Sequence, residues 1–359
     1  MLKHLLFIFT LLLPLFVSSQ IEEIKTDSLS SRNLFIEDFS NQLNVKLDVT
    51  NSQVKYFIPY EGRDARIRTN QAISYGLVLS YKVLSFRLAI RPKLSENELE
   101  NKGKTDNFRM RVKLLFDKWT HRLEFNYNRG FYIENTSDFD FENNIDNPSF
   151  KVQFPYLTTN ILSGSSRYKF NDNYSVKALE SNTEIQLKSA GTFQVGLNYA
   201  LYFLKGTQDI KVADQDFINR DSYKEYTGFS PVFNAGYHYT FVFHNYWFVN
   251  AYGNPGMGVD FYNTKLYENN NVTNSSNAKL FFAFRTGITA GFNGKKIYFG
   301  GTYNYYLNTV KLKDKEVNLQ PRENNFHLFL GYRFKAPKQV RKSVDYIEKK
   351  VPVFKKDSN

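Results

Sequence analysis

Apolar and polar residues alternate with a period of two along most of the chain after residue 40. In the first such stretch, Leu43, Val45 and Leu47 are separated by polar residues. This alternation is the main sequence signal of a β-strand whose two faces meet different environments. Eleven further stretches follow, of which 157–169 is the weakest: 75–81, 84–90, 107–116, 119–133, 157–169, 192–204, 231–243, 247–261, 279–292, 296–307 and 326–334.

Connections between these stretches are short at one end and long at the other. The short ones lie at 83–84, 117–118, 244–246 and 293–295. The long ones are rich in Asn, Asp, Ser and Lys, and cover 92–106, 134–156, 205–229, 263–278 and 308–324. A tilted strand of about 9–11 residues crosses a bilayer. Such lengths, with short turns on one side and long polar loops on the other, are typical of an outer-membrane barrel.

The hairpin around Asp117-Lys118 shows what the two faces carry. Pairing across a two-residue loop makes one face almost entirely apolar, with Met110 opposite Phe125. The other face is charged and pairs Lys113 with Arg122, Arg111 with Glu124, and Arg109 with Asn126. A secreted soluble β protein would bury the apolar face as a core. Because every strand of an exported chain carries such a face, we predict contact with lipid instead.

The predicted fold is all-β: an antiparallel transmembrane β-barrel of about twelve strands, or fourteen if one stretch merges a pair. With the amino terminus in the periplasm, 157–169 runs down and 192–204 runs up. Residues 173–190 then cannot be a full crossing. We predict a short helix there, with Ser175 as its N-cap and Gly191 near its end.

Both ends of the chain carry segments outside the barrel. Residues 1–19 are predicted to be a signal peptide, because a basic start precedes the apolar run Leu5–Val17 and small residues follow; a retained signal anchor is the alternative. We assign 20–40 to a periplasmic lead-in, 41–334 to the barrel and 335–359 to a periplasmic tail. The tail has eight Lys/Arg against three Asp/Glu, with Val340 and Val344 at helical spacing. It is either a docking helix or a solvated basic tail.

Composition narrows the class of protein. Of 359 residues, 34 are Phe, 25 Tyr and 2 Trp, and mean hydropathy is −0.47. These values exclude a bundle of membrane-spanning helices and argue against disorder. The chain has no cysteine, which excludes disulfides, thiolate metal sites and a cysteine nucleophile. We expect the protein in the outer membrane of a Gram-negative bacterium.

Little in the sequence indicates catalysis. Of five histidines, His4 falls in the signal peptide, His121 is on the lipid-facing phase, and His238 and His327 face the lumen. None has a serine two residues away on its own strand, as a strand-borne hydrolase dyad would. We therefore predict no catalytic residue, no metal and no cofactor. The alternatives are a lipid-modifying enzyme and a surface interaction protein that uses the long loops.

The lumen-facing phase is strongly basic. Nine cations face inward against Asp48, Glu124 and Asp260, an excess of +6; they are Lys46, Arg87, Arg91, Arg109, Arg111, Lys113, Arg122, Arg285 and Arg333. Six of them, Arg87, Arg91, Arg109, Arg111, Lys113 and Arg122, lie on three consecutive strands and form a predicted basic wall, with Glu124 as its acidic partner. Arg109 and Lys113 have no carboxylate directly opposite, so we expect them to dominate any anion preference. Either the lumen attracts anions as a small porin-like pore, or it is plugged and its arginines are satisfied.

The predicted partners follow from location. They are outer-membrane lipid, the barrel-assembly machinery through the terminal strand that ends at Phe334, and a periplasmic partner of the basic tail. Nucleic acid is excluded, because export removes the chain from it. His238, Arg285 and Arg333 are the remaining lumen candidates for a functional role.

Several short motifs resemble a bacterial outer-membrane barrel family catalogued as a domain of unknown function. They are Gly130-Phe131-Tyr132, Tyr168-Lys169-Phe170-Asn171, Gln186 with Ser189-Ala190-Gly191, Gly236-Tyr237 and Gly256-Met257-Gly258. Thr192 stands where serine is expected. The motifs span most of residues 30–334. The resemblance implies an outer-membrane barrel and supplies no activity and no functional residues.

Overall fold

The computed structural model describes residues 28–53, 55–60, 63–70, 73–138, 149–206, 209–212, 215–218, 223–268, 271–308 and 324–350. The predicted signal peptide and the last nine residues of the tail lie outside these ranges. The strands are β1 (Ile36–Asp38), β2 (Gln42–Gln53), β3 (Lys55–Tyr60), β4 (Arg63–Arg68), β5 (Ile73–Tyr81), β6 (Leu84–Ile90), β7 (Asp106–Leu115), β8 (Trp119–Ile133), β9 (Gln153–Lys169), β10 (Glu184–Gln186), β11 (Ala190–Lys205), β12 (Asp209–Val212), β13 (Gln215–Ile218), β14 (Tyr223–Phe243), β15 (Trp247–Glu268), β16 (Asn271–Asn293), β17 (Ile297–Asn308) and β18 (Asn324–Lys335). The helices are α1 (Ser28–Phe35), α2 (Glu96–Lys102), α3 (Lys177–Glu180) and α4 (Lys338–Lys350), with a 3-10 turn at Thr136–Asp138.

Twelve strands close into an antiparallel barrel. Their order around the ring is β2, β5, β6, β7, β8, β9, β11, β14, β15, β16, β17 and β18, and β18 pairs with β2 to complete the ring. Each overlaps one of the twelve stretches predicted from alternation, including 157–169. The predicted strand count is confirmed, and fourteen strands are excluded. The predicted pairing of Arg111 with Glu124 and of Lys113 with Arg122 is also confirmed.

The two faces of the barrel are reversed relative to a soluble β protein. Large apolar side chains of the outward phase are exposed, with Leu47 at 62%, Phe233 at 60% and Leu330 at 57%. Polar side chains of the inward phase, such as Lys46 and Glu124, are buried. A continuous exposed apolar surface of this kind needs a lipid environment. No helix among the described residues is long and apolar enough to cross a membrane.

The long-loop end of the barrel carries additional structure. β14, β15 and β16 have 21, 22 and 23 residues, about twice the length of a crossing, so their ends rise beyond the apolar band. The hairpins β3–β4 and β12–β13 add to the sheet at this end. A buried apolar cluster packs beneath them; it includes Tyr56, Ile67, Phe131, Ile133, Phe154, Leu157, Leu204 and Tyr226. Tyr56 and Ile67 of the β3–β4 hairpin are themselves part of this cluster.

Both described ends of the barrel chain lie at the short-turn end, since twelve strands are an even number. We therefore expect added trypsin on intact cells to cut near Lys205, which is exposed beside a long loop, and to spare residues 335–359. Mass spectrometry of the fragments measures this. A tag placed after Asn359 tests the same orientation from the other end of the chain. It should stay unlabelled on intact cells, and labelling would contradict the predicted orientation.

Candidate functional site

Residues 170–189 fold into the short-turn end of the barrel, and we call them the plug. They connect β9 to β11 and contain α3 and β10. Tyr174, Thr183 and Ile185 are completely buried. The prediction that this segment does not cross is confirmed. The predicted helix is only one turn, Lys177–Glu180, because Asn182 adopts a left-handed backbone with φ of 57°. β10 follows at once, and the predicted end near Gly191 was wrong.

The predicted cap at Ser175 is present in altered form. Val176 precedes the helix and makes no side-chain capping bond, but the Ser175 hydroxyl accepts a hydrogen bond of 2.9 Å from the Ala178 amide. The same hydroxyl donates 2.6 Å to Glu184. Ser175 therefore ties the turn of α3 to β10 and stabilises the plug as one unit.

The lead-in is part of the plug's support. β1 pairs with β10 in an antiparallel sheet of two strands, separate from the barrel sheet. The Phe39 amide donates to the Thr183 carbonyl at 2.8 Å, and the Leu187 amide donates to Phe35 at 2.7 Å. The Arg32 guanidinium donates to the buried Glu184 carboxylate at 2.7 Å. The amino-terminal segment thus holds the plug at the short-turn end of the barrel.

Ion pairs attach the plug to the barrel wall. Lys177 donates to Asp117 of the β7–β8 turn at 2.6 Å. Glu180 pairs with Lys113 and, at 3.5 Å, with Arg167. Burial alone would raise the pKa of Glu180, but Lys113 and Arg167 outweigh it and hold that pKa well below its usual range. The carboxylate therefore stays ionised and paired at neutral pH.

Arg333 fixes the plug to the last strand. It is 1% exposed, and its guanidinium donates to the Asn182 carbonyl at 2.8 Å, to the Gly294 carbonyl and to the Asn293 side chain. The guanidinium carbon Cζ lies 5.1 Å from the centre of the Phe39 ring and 4.8 Å from the centre of the Tyr298 ring. Arg333 therefore joins strand, turn, plug and amino-terminal segment at one point.

The centre of the basic wall is a cluster around Glu124. The carboxylate accepts hydrogen bonds from Arg109 at 2.7 Å, from Arg122 at 2.7 Å and from Arg111. One negative charge thus serves three guanidinium groups. The expectation that Arg109 and Lys113 act as unpaired cations was wrong. Their long side chains reach carboxylates that do not lie directly opposite them in the sheet, Glu124 for Arg109 and the plug's Glu180 for Lys113.

A second cluster lies beside the first. Arg87 binds Asp48 with both a 2.6 Å and a 2.8 Å hydrogen bond, and His327 lies 3.5 Å from the same carboxylate. Gly76 leaves room for it: a Cβ there would stand 2.4 Å from the Asp48 carboxylate and 2.6 Å from the Arg87 guanidinium. The alternation predicts that Asp48, Arg87 and His327 each face inward, but only the packing of the four neighbouring strands β18, β2, β5 and β6 brings them together.

The remaining candidates are spread over the lumen. His238 shares a 3.1 Å hydrogen bond with Asn254 and stacks on Tyr252 at 4.9 Å. Arg285 donates to Asn198 at 2.9 Å and lies 4.7 Å from the Tyr306 ring. These contacts satisfy polar groups inside the barrel.

Three predicted lumen residues lie outside the central space. Arg91 falls one residue beyond β6, and Arg333 lies under the plug. Asp260 accepts a 3.3 Å hydrogen bond from Tyr226. None of the three lines the lumen cavity.

A cavity of about 410 Å³ occupies the lumen above the plug. Among its described lining residues, eight are cationic and three are carboxylates, a formal surplus of five positive charges; the cations are Lys46, Arg87, Arg109, Arg111, Lys113, Arg122, Arg167 and Arg285, and the carboxylates are Asp48, Glu124 and Glu180. Sequence reasoning missed Arg167 and Glu180. Arg167 lies on the weakest strand pattern, and Glu180 lies on the plug. The residues that line this cavity therefore carry a net positive formal charge.

Metal-binding groups and histidine–serine contacts were the two features to locate for catalytic chemistry. No group of three or more His, Asp or Glu side chains there has metal-binding geometry. An unpredicted contact joins His121 Nδ1 to the Ser166 hydroxyl at 3.0 Å across two strands. The imidazole stacks flat on Trp119 with ring centres 5.8 Å apart. This pairing satisfies two polar groups of the lipid-facing phase, as buried polar groups require.

Comparison with known proteins gives a family and a set of barrels. The family model described as "Domain of unknown function (DUF4421)" matches residues 25–334. Among curated proteins, no sequence matches the chain. The outer-membrane protease OmpT of Escherichia coli is similar at 7% identity, covering 83% of this chain and 98% of that one, with a TM-score of 0.34. The β-domain of the Bordetella autotransporter BrkA has 11% identity, covers 81% and 99%, and has a TM-score of 0.38. The translocator domain of NalP from Neisseria meningitidis has 9% identity, covers 82% and 88%, and has a TM-score of 0.36.

Proposed function

The chain belongs to the family described as a domain of unknown function (DUF4421), and we propose from its own residues that it is an outer-membrane protein whose plugged lumen holds small anions. In this proposal the barrel passes anions only when the plug moves. It acts as a small, anion-biased, porin-like conduit that is closed at rest.

The barrel's surface supports the outer-membrane location. Antiparallel closure leaves no unpaired strand edge in the ring, and large apolar side chains of the outward phase are exposed around most of it. Tyr332 and Phe334 of β18 are exposed at the periplasmic edge, where aromatic residues favour the membrane–water interface. We also infer that β18, which closes the barrel against β2, is the segment that the assembly machinery binds.

The functional proposal rests on the excess of positive charge around the lumen cavity. Five formal positive charges in excess, within about 410 Å³, cannot be left uncompensated inside a low-dielectric wall. We infer that mobile anions compensate part of this charge. In a barrel with a purely structural role, each buried cation would need only one carboxylate partner, as Arg87 has in Asp48. The three arginines around Glu124 share a single carboxylate, so cations outnumber carboxylates there.

In this proposal the plug closes the lumen when the protein is at rest. α3 and β10 lie across the periplasmic end, held by Lys177, Glu180 and the β1 clamp. Movement of this unit would leave the basic wall in place, because Arg109, Arg111 and Arg122 belong to barrel strands. Selectivity and gating therefore reside in different elements.

Ion selectivity in planar bilayers tests the proposal. When the plug moves and the channels open, we expect the wild type to prefer anions and Arg109→Glu with Lys113→Glu to lose that preference, because the two changes remove four of the five surplus charges. The reversal potential under a salt gradient measures this. High salt should weaken the wild-type preference, since the screening length is about 3 Å at 1 M.

The control changes the same total charge outside the lumen. Lys104→Glu with Lys296→Glu alters two exposed lysines that do not line the cavity, and should keep the wild-type reversal potential. An unchanged reversal potential in the lumen variant would contradict the proposal. So would the absence of conductance in a variant whose plug has been loosened.

A further inference from the structure

The carboxyl-terminal helix follows the periplasmic rim of the barrel. α4 starts three residues after the end of β18. The Lys82 ammonium in the β5–β6 turn donates a 2.9 Å hydrogen bond to the Asp345 carboxylate of α4. The rise from Lys338 to Asp345 is about 10 Å along a helix. The distance from β18 across β2 to β5 is also about 10 Å, two strand spacings. The helix axis therefore runs along the rim, parallel to the membrane plane.

The helix lies at the level where lipid headgroups begin. Tyr332 and Phe334, which directly precede it, are exposed on the outward face and mark the membrane–water interface. Ala336 is buried and Val340 and Val344 are half-buried, while the cationic side chains around them are exposed. An amphipathic helix in this orientation has the geometry of an interfacial helix.

The positive charge of α4 indicates which kind of partner it binds. α4 has five Lys/Arg against two Asp/Glu, and Lys335, Lys338, Arg341 and Lys342 are all exposed next to the interface. One of the two acidic residues, Asp345, is already paired with Lys82. The exposed cations therefore face a leaflet whose headgroups are phosphates.

We propose that α4 binds the acidic phospholipid headgroups of the periplasmic leaflet and thereby fixes the barrel's inner rim to that leaflet. The proposal is independent of the lumen and of any conductance. It requires only that the barrel spans a membrane. Each basic residue near an anionic surface strengthens binding about fivefold, so three of them account for roughly a hundredfold preference.

Full-length protein folded into lipid nanodiscs tests the proposal. The chain has no cysteine, so Ser343→Cys provides a single site for an environment-sensitive fluorophore on an exposed part of α4. We expect a blue-shifted emission in nanodiscs that contain phosphatidylglycerol, and a smaller shift in pure phosphatidylcholine. High salt should reverse the difference.

A charge-removal variant and its control make the test specific. Lys338→Gln, Arg341→Gln and Lys342→Gln together should lower the ratio of bound to unbound helix by roughly a hundredfold. The control replaces Lys188, Lys295 and Lys296 by glutamine; these lysines are exposed at the same end but lie outside the helix. It should behave as wild type. The heat-dependent shift of the barrel in detergent gels verifies that every variant is folded.

Two outcomes would overturn the proposal. An emission spectrum that does not depend on phosphatidylglycerol would show that the helix rests on the barrel or on another partner. An equal loss in the control variant would show a general effect of net charge. Conductance measured on the same samples keeps this result separate from the lumen proposal.

Discussion

Replacing Glu124 by glutamine is expected to lower sharply the temperature at which the folded barrel converts to its unfolded form in detergent gels. Glu124 is the shared partner of Arg109, Arg111 and Arg122. Removing it leaves three guanidinium groups close together inside the barrel. Breaking a buried charge pair costs about 3–5 kcal/mol. Gel migration after heating in steps measures the loss.

Two companion experiments separate charge repulsion from loss of packing. Added sulfate should partly restore the stability of Glu124→Gln, because an anion in the lumen replaces the missing carboxylate. Asp106→Asn removes an acid from the neighbouring strand β7, but its pair with Lys104 is exposed, so it should change stability little. If Glu124→Gln melted like wild type, the three arginines would not depend on this carboxylate.

Replacing Arg333 by methionine is expected to displace the plug and to raise the conductance of reconstituted protein. The variant keeps an apolar side chain against Phe39 and Tyr298, but removes the hydrogen bonds to Asn182, Asn293 and Gly294. A hydrogen bond to a charged group contributes about 1.5–3 kcal/mol. Losing one therefore raises the fraction of displaced plug at least about tenfold. Single-channel recording measures the open probability.

The matched control for Arg333 lies on the neighbouring turn. Lys296→Met removes an exposed cation two residues from Gly294, and should leave the plug closed. The channels opened by Arg333→Met should keep the anion preference, because the basic wall belongs to the barrel strands. Conductance equal to wild type in Arg333→Met would show that the plug is held without this residue.

Alternation along the chain was sufficient to predict the barrel. The period of two is a local property, since each strand residue faces one of two environments regardless of its partners. It gave the twelve strands, their inward and outward faces, and the pairing of the β7–β8 hairpin, where the turn fixes the register. The hairpins β3–β4 and β12–β13 were missed because their strands have only six and four residues, too few for a clear alternation. β1 and β10 have three residues each and carry no periodic signal.

Strand register predicts which lumen residues lie opposite one another, but not which of them form ion pairs. Register places Arg109 opposite Asn126 and Lys113 opposite Arg122. The ends of these long side chains lie several ångströms from their own Cα atoms, so they bind whatever acceptor the interior brings near. For Arg109 this is Glu124, which is on the adjacent strand but not directly opposite. For Lys113 it is Glu180, on a segment 67 residues away.

The sequence by itself determined the barrel, its strand count, its basic interior and the absence of a crossing between 157–169 and 192–204. Only the tertiary structure decided that this intervening segment turns inward, that β1 pairs with β10, and that Arg333 holds both. The physical reason is the range of the interactions. Strand faces follow from neighbouring residues, whereas the plug is stabilised by contacts such as Arg32 with Glu184, 152 residues apart, which no local pattern records.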